Sequence, residues 1–230
     1  MAVSSEEQMM IDLVAEFIDE QVKPTVNRVE HANEYPESWI ETMKDMGIYG
    51  LAIDEPWGMG KVSTEAYALI TQELARGWMS LAGAMGGHTV VAKLIQEYGT
   101  TEQKDNYLPR MATGELRATM ALTEPGGGSD LQAMRTHADK DGDDYVINGS
   151  KTWITNARKS DLIALLCKTD PNAEPRHKGS SGFRVRSRVS APSVSVMNER
   201  RALGDDGNSP RSLTPKALPC NLPPQPSRVL

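Results

Sequence analysis

The chain has 230 residues, enough for one large domain or two small ones. Its 25 lysines and arginines stand against 31 aspartates and glutamates, and a net charge of −6 offers no footing for nucleic acid. Cys167 and Cys220 are too few for a disulfide framework, no apolar run is long enough to span a membrane, and the opening MAVSSEEQMM is acidic where a secretory leader is basic. The composition therefore points to a cytoplasmic protein with no membrane span.

Met9, Met10, Leu13, Val14, Phe17 and Ile18 recur at helical spacing behind a Ser4/Glu7 capping box, and Pro24 should end or kink that helix. A second helix is expected from Pro36 through Trp39, Ile40 and Met43 to a stop at Gly47. Two more are expected over 64–76 and 80–98, and Thr101 should cap a fifth whose apolar face is Tyr107, Leu108 and Met111.

The texture changes near Arg117. ATMALTE alternates loosely, PGGGSD is a turn, and THADKDGDDYVING reads as a strand, an Asp-Gly turn and a strand. KTWIT is a further short strand-like segment, and DLIALLCK suits a buried strand. Helices followed by an antiparallel sheet is the order of an α+β protein. The expected division is a helical domain over 1–115, an incomplete β-domain over 116–182 and a tail over 183–230.

Residues 179–230 break this grammar. They hold seven prolines, nine serines and no isoleucine, and carry 8 basic against 3 acidic residues where the rest of the chain is acidic. Each proline removes a backbone donor, so PKALPCNLPPQP suits neither a helix interior nor a central strand, and a disordered tail is expected. A real linker and a reading-frame slip both account for it; the abrupt charge reversal favours the slip.

Chemistry is concentrated in two segments. In TEPGGGSD, Gly126 to Gly128 let the backbone bend closely around a ligand and Ser129 presents a hydroxyl at the end of the bend. It is neither a Walker loop nor a Rossmann fingerprint, and taken alone such a turn serves more often as a connection. In INGSKTWITNA, Trp153 and Thr155 would fall on one side of a strand, an indole beside a hydroxyl, which suits a planar heteroaromatic ligand. The competing reading is a Trp buried in a sheet. The histidines His31, His88, His137 and His177 show no metal spacing, and His88 reads best as a satisfied helix histidine.

Together, TEPGGGSD and INGSKTWITNA, some twenty residues apart, resemble the acyl-CoA dehydrogenase family. NEYPESWIETMKDMGIYGLAIDEPWG and YGTTEQKDNYLPRMATGELRATMALTEP agree in order and spacing, so the resemblance covers roughly residues 5–180. It implies FAD as cofactor, an acyl-CoA substrate, an electron-transfer flavoprotein or similar acceptor, a homotetramer, and α,β-dehydrogenation with hydride transfer to the flavin. By motif, Met120, Leu122 and Thr123 would line the flavin ring, Ser129 would contact the FAD pyrophosphate and the acyl-CoA, Trp153 would pack on the isoalloxazine, and Thr155 would bond near N5. Met120 departs from members that place an aromatic residue there. Gly86 would fall at the floor of the acyl tunnel, unless the Gly86-Gly87 pair serves close helix packing.

The resemblance also implies that the glutamate base comes from a C-terminal helical domain. None of Glu199, Asp205 or Asp206 inherits that role, so no catalytic residue is assigned and the chain is expected to be inactive alone. The alternative is a non-catalytic remnant that acts only as a binding or interaction fragment.

Overall fold

In the computed structural model, residues 3–142, 144–170, 172–173 and 180–186 are described. The expected disorder of the tail beyond residue 186, and the readings of His177 and Cys220, lie outside the described residues. The chain divides into two units, residues 1–116 and 117–230.

The first unit is helical. Helix α1 spans Ser5–Phe17, and both halves of its capping box form: Glu7 N donates to Ser4 Oγ (3.1 Å) and Ser4 N to Glu7 Oε2 (2.8 Å). A π-helical turn, Ile18–Val22, follows, and the chain leaves the helix at Pro24. Helix α2, Val26–His31, was not anticipated, because six residues are too few to show a period. Helix α3 covers Glu37–Asp45, and Gly47 adopts a left-handed φ of +73° where the sequence requires the stop. Helices α4 (Thr64–Gly77) and α5 (Met79–Tyr98) run close to their expected bounds. The cap of α6 (Thr101–Ala112) is Thr100 rather than Thr101, because Gln103 returns the bond to the Thr100 N–H.

Apolar faces meet in one core that includes Val14, Phe17 and Ile18 of the first helical stretch, Ile40 and Met43 of α3, Ile70 and Leu74 of α4, and Leu81 and Met85 of α5. Tyr107, Leu108 and Met111 of α6 are buried as their spacing predicts. Gln96 pins the 52–54 loop to α5, accepting from Asp54 N (2.8 Å) and donating to the Ala52 carbonyl (2.9 Å). His88 is buried. Its Nε2 lies 3.1 Å from the Met111 carbonyl and its ring stands edge-on to Tyr49, so the satisfied-histidine reading holds. No helix among the described residues is long and apolar enough to cross a membrane.

Among the described residues, the second unit is a five-stranded sheet: β1 (Ala118–Ala121), β2 (His137–Asp141), β3 (Asp144–Asn148), β4 (Leu162–Lys168) and β5 (Ser180–Arg186). The α+β order is as expected, but the sheet is mixed rather than antiparallel. Strands β1 and β4 pair in parallel, Ala118 opposite Leu162, and β2 joins β4 in parallel at His137–Lys168. The hairpin β2–β3 and the pair β4–β5 are antiparallel. Some forty residues separate β1 from β4, a crossover long enough for parallel pairing. Because β1 and β5 both pair with residues 162–165, they occupy opposite edges of β4. Residues 183–186, assigned to the tail from sequence, form the second half of β5.

Candidate functional site

The strand β1 delivers the chain to the Gly-rich excursion. At its start Glu124 and Gly127 exchange backbone bonds of 3.0 and 3.1 Å, closing a tight turn over Pro125-Gly126. A Cβ built on Gly126 or Gly127 meets nothing within 4 Å, so this turn is open on its outer side. Gly128 is different: a Cβ there would lie 3.3 Å from Thr123 Cγ2, so the returning loop packs closely on Thr123.

The stretch 151–155 corrects the sequence reading. KTWIT is not a strand; Trp153 sits at φ +59° and Asn156 at φ +60°. It is nevertheless laid alongside β1 and its exit. Thr152 N donates to the Thr123 carbonyl at 2.9 Å, Lys151 Nζ to the Leu122 carbonyl at 2.8 Å, and the Thr119 hydroxyl to the Thr155 carbonyl at 2.7 Å. One backbone and two side-chain anchors do the work that a regular ladder would do, and leave the backbone free to turn at Trp153.

That turn decides between the two readings of the indole. Trp153 is 69% exposed, so it is not a core tryptophan. A left-handed φ at a bulky residue is costly, and such strained positions cluster at functional sites. Met120, Leu122 and Thr123 are half-buried, and Ser129 and Thr155 are exposed. The structure thus brings the two motifs into one assembly. Gly86 lies in the helical unit, on α5; a Cβ built there meets nothing within 4 Å, so no described residue packs closely on Gly86 itself.

Two residues went unassigned in the sequence although both lie inside the quoted motifs. Glu124 and Lys151 form an ion pair at 3.0 Å with side chains 8% and 7% exposed. The Glu124 carboxylate also accepts from Arg135 N (2.7 Å) and Thr136 N (2.9 Å). Burial acts to raise its pKa, but hydrogen bonds from Thr136, Arg135 and Lys151 outweigh burial and hold it down at about 2. Their field reaches the buried Cys167 thiol, which burial first of all pushes up to about 11, with Lys151 and Glu124 acting in opposite directions. The available signal was a carboxylate next to a Pro-Gly turn, which has no apolar reason to be buried. Among the described residues, no cluster of His, Cys, Asp and Glu could hold a metal ion.

Comparison with known proteins agrees with the motif resemblance. The family model described as acyl-CoA dehydrogenase, N-terminal domain, matches residues 4–115, and that for the middle domain of the same family matches residues 119–216. The chain is 38% identical over 170 residues to (2S)-methylsuccinyl-CoA dehydrogenase of Cereibacter sphaeroides, covering 73% of this chain and 31% of the relative. It superposes on an acyl-CoA dehydrogenase from Geobacillus kaustophilus with a TM-score of 0.70 at 37% identity, over 82% of this chain and 50% of the other. A glutaryl-CoA dehydrogenase from Mycobacterium smegmatis, solved in complex with FADH2, superposes with a TM-score of 0.73 at 26% identity, over 95% of this chain and 55% of the other. The chain spans between about a third and about half the length of these proteins.

Proposed function

The chain belongs to the acyl-CoA dehydrogenase family, and on that premise we propose that it supplies the helical domain and the flavin-facing sheet of an enzyme that removes hydrogens from the α and β carbons of an acyl-CoA thioester. The observation that carries the reading is Trp153, whose indole is exposed on a turn anchored from both sides. Bound FAD would supply the acceptor for the β-hydride.

The donor set suits that cofactor. An indole and the half-buried Met120 and Leu122 offer apolar contact to a ring, while Thr123 and Thr155 carry hydroxyls for its polar edge. A donor near the atom that takes the hydride would stabilise charge as the ring is reduced, and Thr155 is assigned that place. Gly126 and Gly127 leave the backbone open to an approaching pyrophosphate or thioester, and Ser129 adds a hydroxyl beside them. In the helical unit, the open space over Gly86 would deepen an acyl floor. Each further buried methylene there would contribute about 0.8 kcal/mol, which favours longer or bulkier acyl groups.

The base that takes the α-proton is assigned to family sequence beyond residue 216, where the match ends. An electron-transfer flavoprotein as acceptor, a homotetramer and a cytoplasmic location complete the proposal. The test is reconstitution: the chain incubated with FAD should retain the yellow cofactor through gel filtration, and butyryl- to palmitoyl-CoA should perturb its visible band. A chain that stays colourless would favour a non-catalytic remnant.

A further inference from the structure

We propose that Lys151 and Glu124 are positioning residues that fix the Trp153 turn against the Leu122–Thr123 edge. The proposal rests on the flavin reading for what the turn receives, and on geometry alone for how the turn is held. One ammonium serves both motifs. Lys151 Nζ donates to the Leu122 carbonyl at 2.8 Å and to Glu124 Oε1 at 3.0 Å. Glu124 in turn gathers the N–H groups of Arg135 and Thr136, so three separate stretches of chain meet at a single carboxylate.

Burial makes the arrangement specific. An ammonium this far out of water must keep its acceptors, and a carboxylate its donors, or the desolvation cost of each is left uncompensated. Apolar residues of the same volume would fill the space equally well, but would not dictate which carbonyl is turned inward. The pair does dictate it: the Leu122 carbonyl must face Lys151, and the next carbonyl, that of Thr123, then accepts from Thr152 N at 2.9 Å. Trp153 follows at once, with its left-handed φ and its indole outside the core. The indole is 69% exposed, so its placement depends on the anchors that flank it, at residues 151 and 152 on one side and Thr155 on the other.

The test uses the whole chain labelled with 5-fluorotryptophan and nitrogen-15. Four tryptophans give four fluorine lines, and Trp153→Phe assigns the one of interest. Lys151→Met should move the Trp153 line and cost the Thr152 amide about tenfold or more of its exchange protection. The Trp39, Trp57 and Trp78 lines and the hairpin amides of Ala138 and Ile147 should stay in place, and Lys151→Arg should restore both signals. Glu124→Gln is the deciding variant if Lys151→Met also loses the hairpin amides: the same selective change supports the proposal. An unmoved Trp153 line with full Thr152 protection overturns it, as does loss of the hairpin amides in both variants. Adding FAD to the unsubstituted chain is a separate arm. A Trp153 line that ignores FAD would sink the flavin reading and leave the positioning result standing.

Discussion

The Thr119 hydroxyl donates to the Thr155 carbonyl across 2.7 Å, tying the irregular 151–155 stretch to β1 by a side chain where no strand ladder exists. Held at Thr152 and again at Thr155, the chain between them carries Trp153 on a left-handed backbone with its indole in solvent.

Trp153→Gly should therefore stabilise the free chain. Glycine adopts φ +59° without a Cβ clash, relieving on the order of 1 kcal/mol, and the exposed indole forfeits little burial. Thermal melting of the sheet unit, followed by exchange of its strand amides, should show an equal or higher midpoint. A lower midpoint would mean that the indole packs for stability.

Acid should weaken the sheet unit through Glu124. Its carboxylate titrates at about 2 when folded against an ordinary 4.5, so the folded state favours the charged form. That contribution is fully present above pH 4.5 and is lost as pH falls through the folded value, for a total of roughly 3 kcal/mol. Urea titrations between neutral pH and pH 3 check this. A Glu124→Gln chain with the same acid slope would refute the assignment.

The helical unit should respond to acid in a different window. Burial lowers the His88 pKa to about 4 from 6.5, although the carbonyls of Met111 and Tyr49 oppose the shift. Here the folded state favours the neutral form. Stability is full above pH 6.5 and declines as pH falls toward 4, by roughly 3 kcal/mol. His88→Phe should start lower, because the Met111 carbonyl loses the imidazole donor while keeping Gly114 N, and should be flat across that window. Ellipticity melts at pH 7 and pH 5 on both chains decide it.

Two helical glycines should behave oppositely. Gly86→Ala places a methyl in open space and should stabilise α5 by up to about 1 kcal/mol. Gly77→Ala drives its Cβ to 2.6 Å from Ile18 Cδ1 and 2.8 Å from Ile18 Cγ2, both in the buried core, and should cost about 1–3 kcal/mol. Chemical denaturation of the two variants makes the comparison. If Gly86→Ala loses stability, the open floor over α5 is wrong.

How much of this was legible follows from range. The Ser4/Glu7 box, the Gly47 stop and the buried Tyr107, Leu108 and Met111 are set by residues within a turn or two, and all are as the spacing predicts. The parallel pairing of β1 with β4 joins residues more than forty apart, and an apolar run such as LIALLCK specifies burial but not its neighbour. KTWIT has strand-forming residues, yet Lys151 and Thr152 spend their donors on the 122–123 carbonyls and the ladder never forms. Glu124 and Lys151 were in view in both motifs; their partnership across 27 positions becomes visible only when the excursion folds back. Strand β5 was obscured by its Ser, Gly and Arg content, since pairing with β4 is a backbone property.

The most direct test of the proposed flavin site on the sheet is an equilibrium titration of FAD, followed by its own fluorescence, with the unsubstituted chain and with Trp153→Gly. The account predicts saturable quenching by the unsubstituted chain. It also predicts an affinity at least about tenfold weaker for Trp153→Gly, whose fold is unimpaired, as the ring contact of one exposed aromatic is removed. Absence of saturable binding by the unsubstituted chain, or equal affinity in the two, would contradict it.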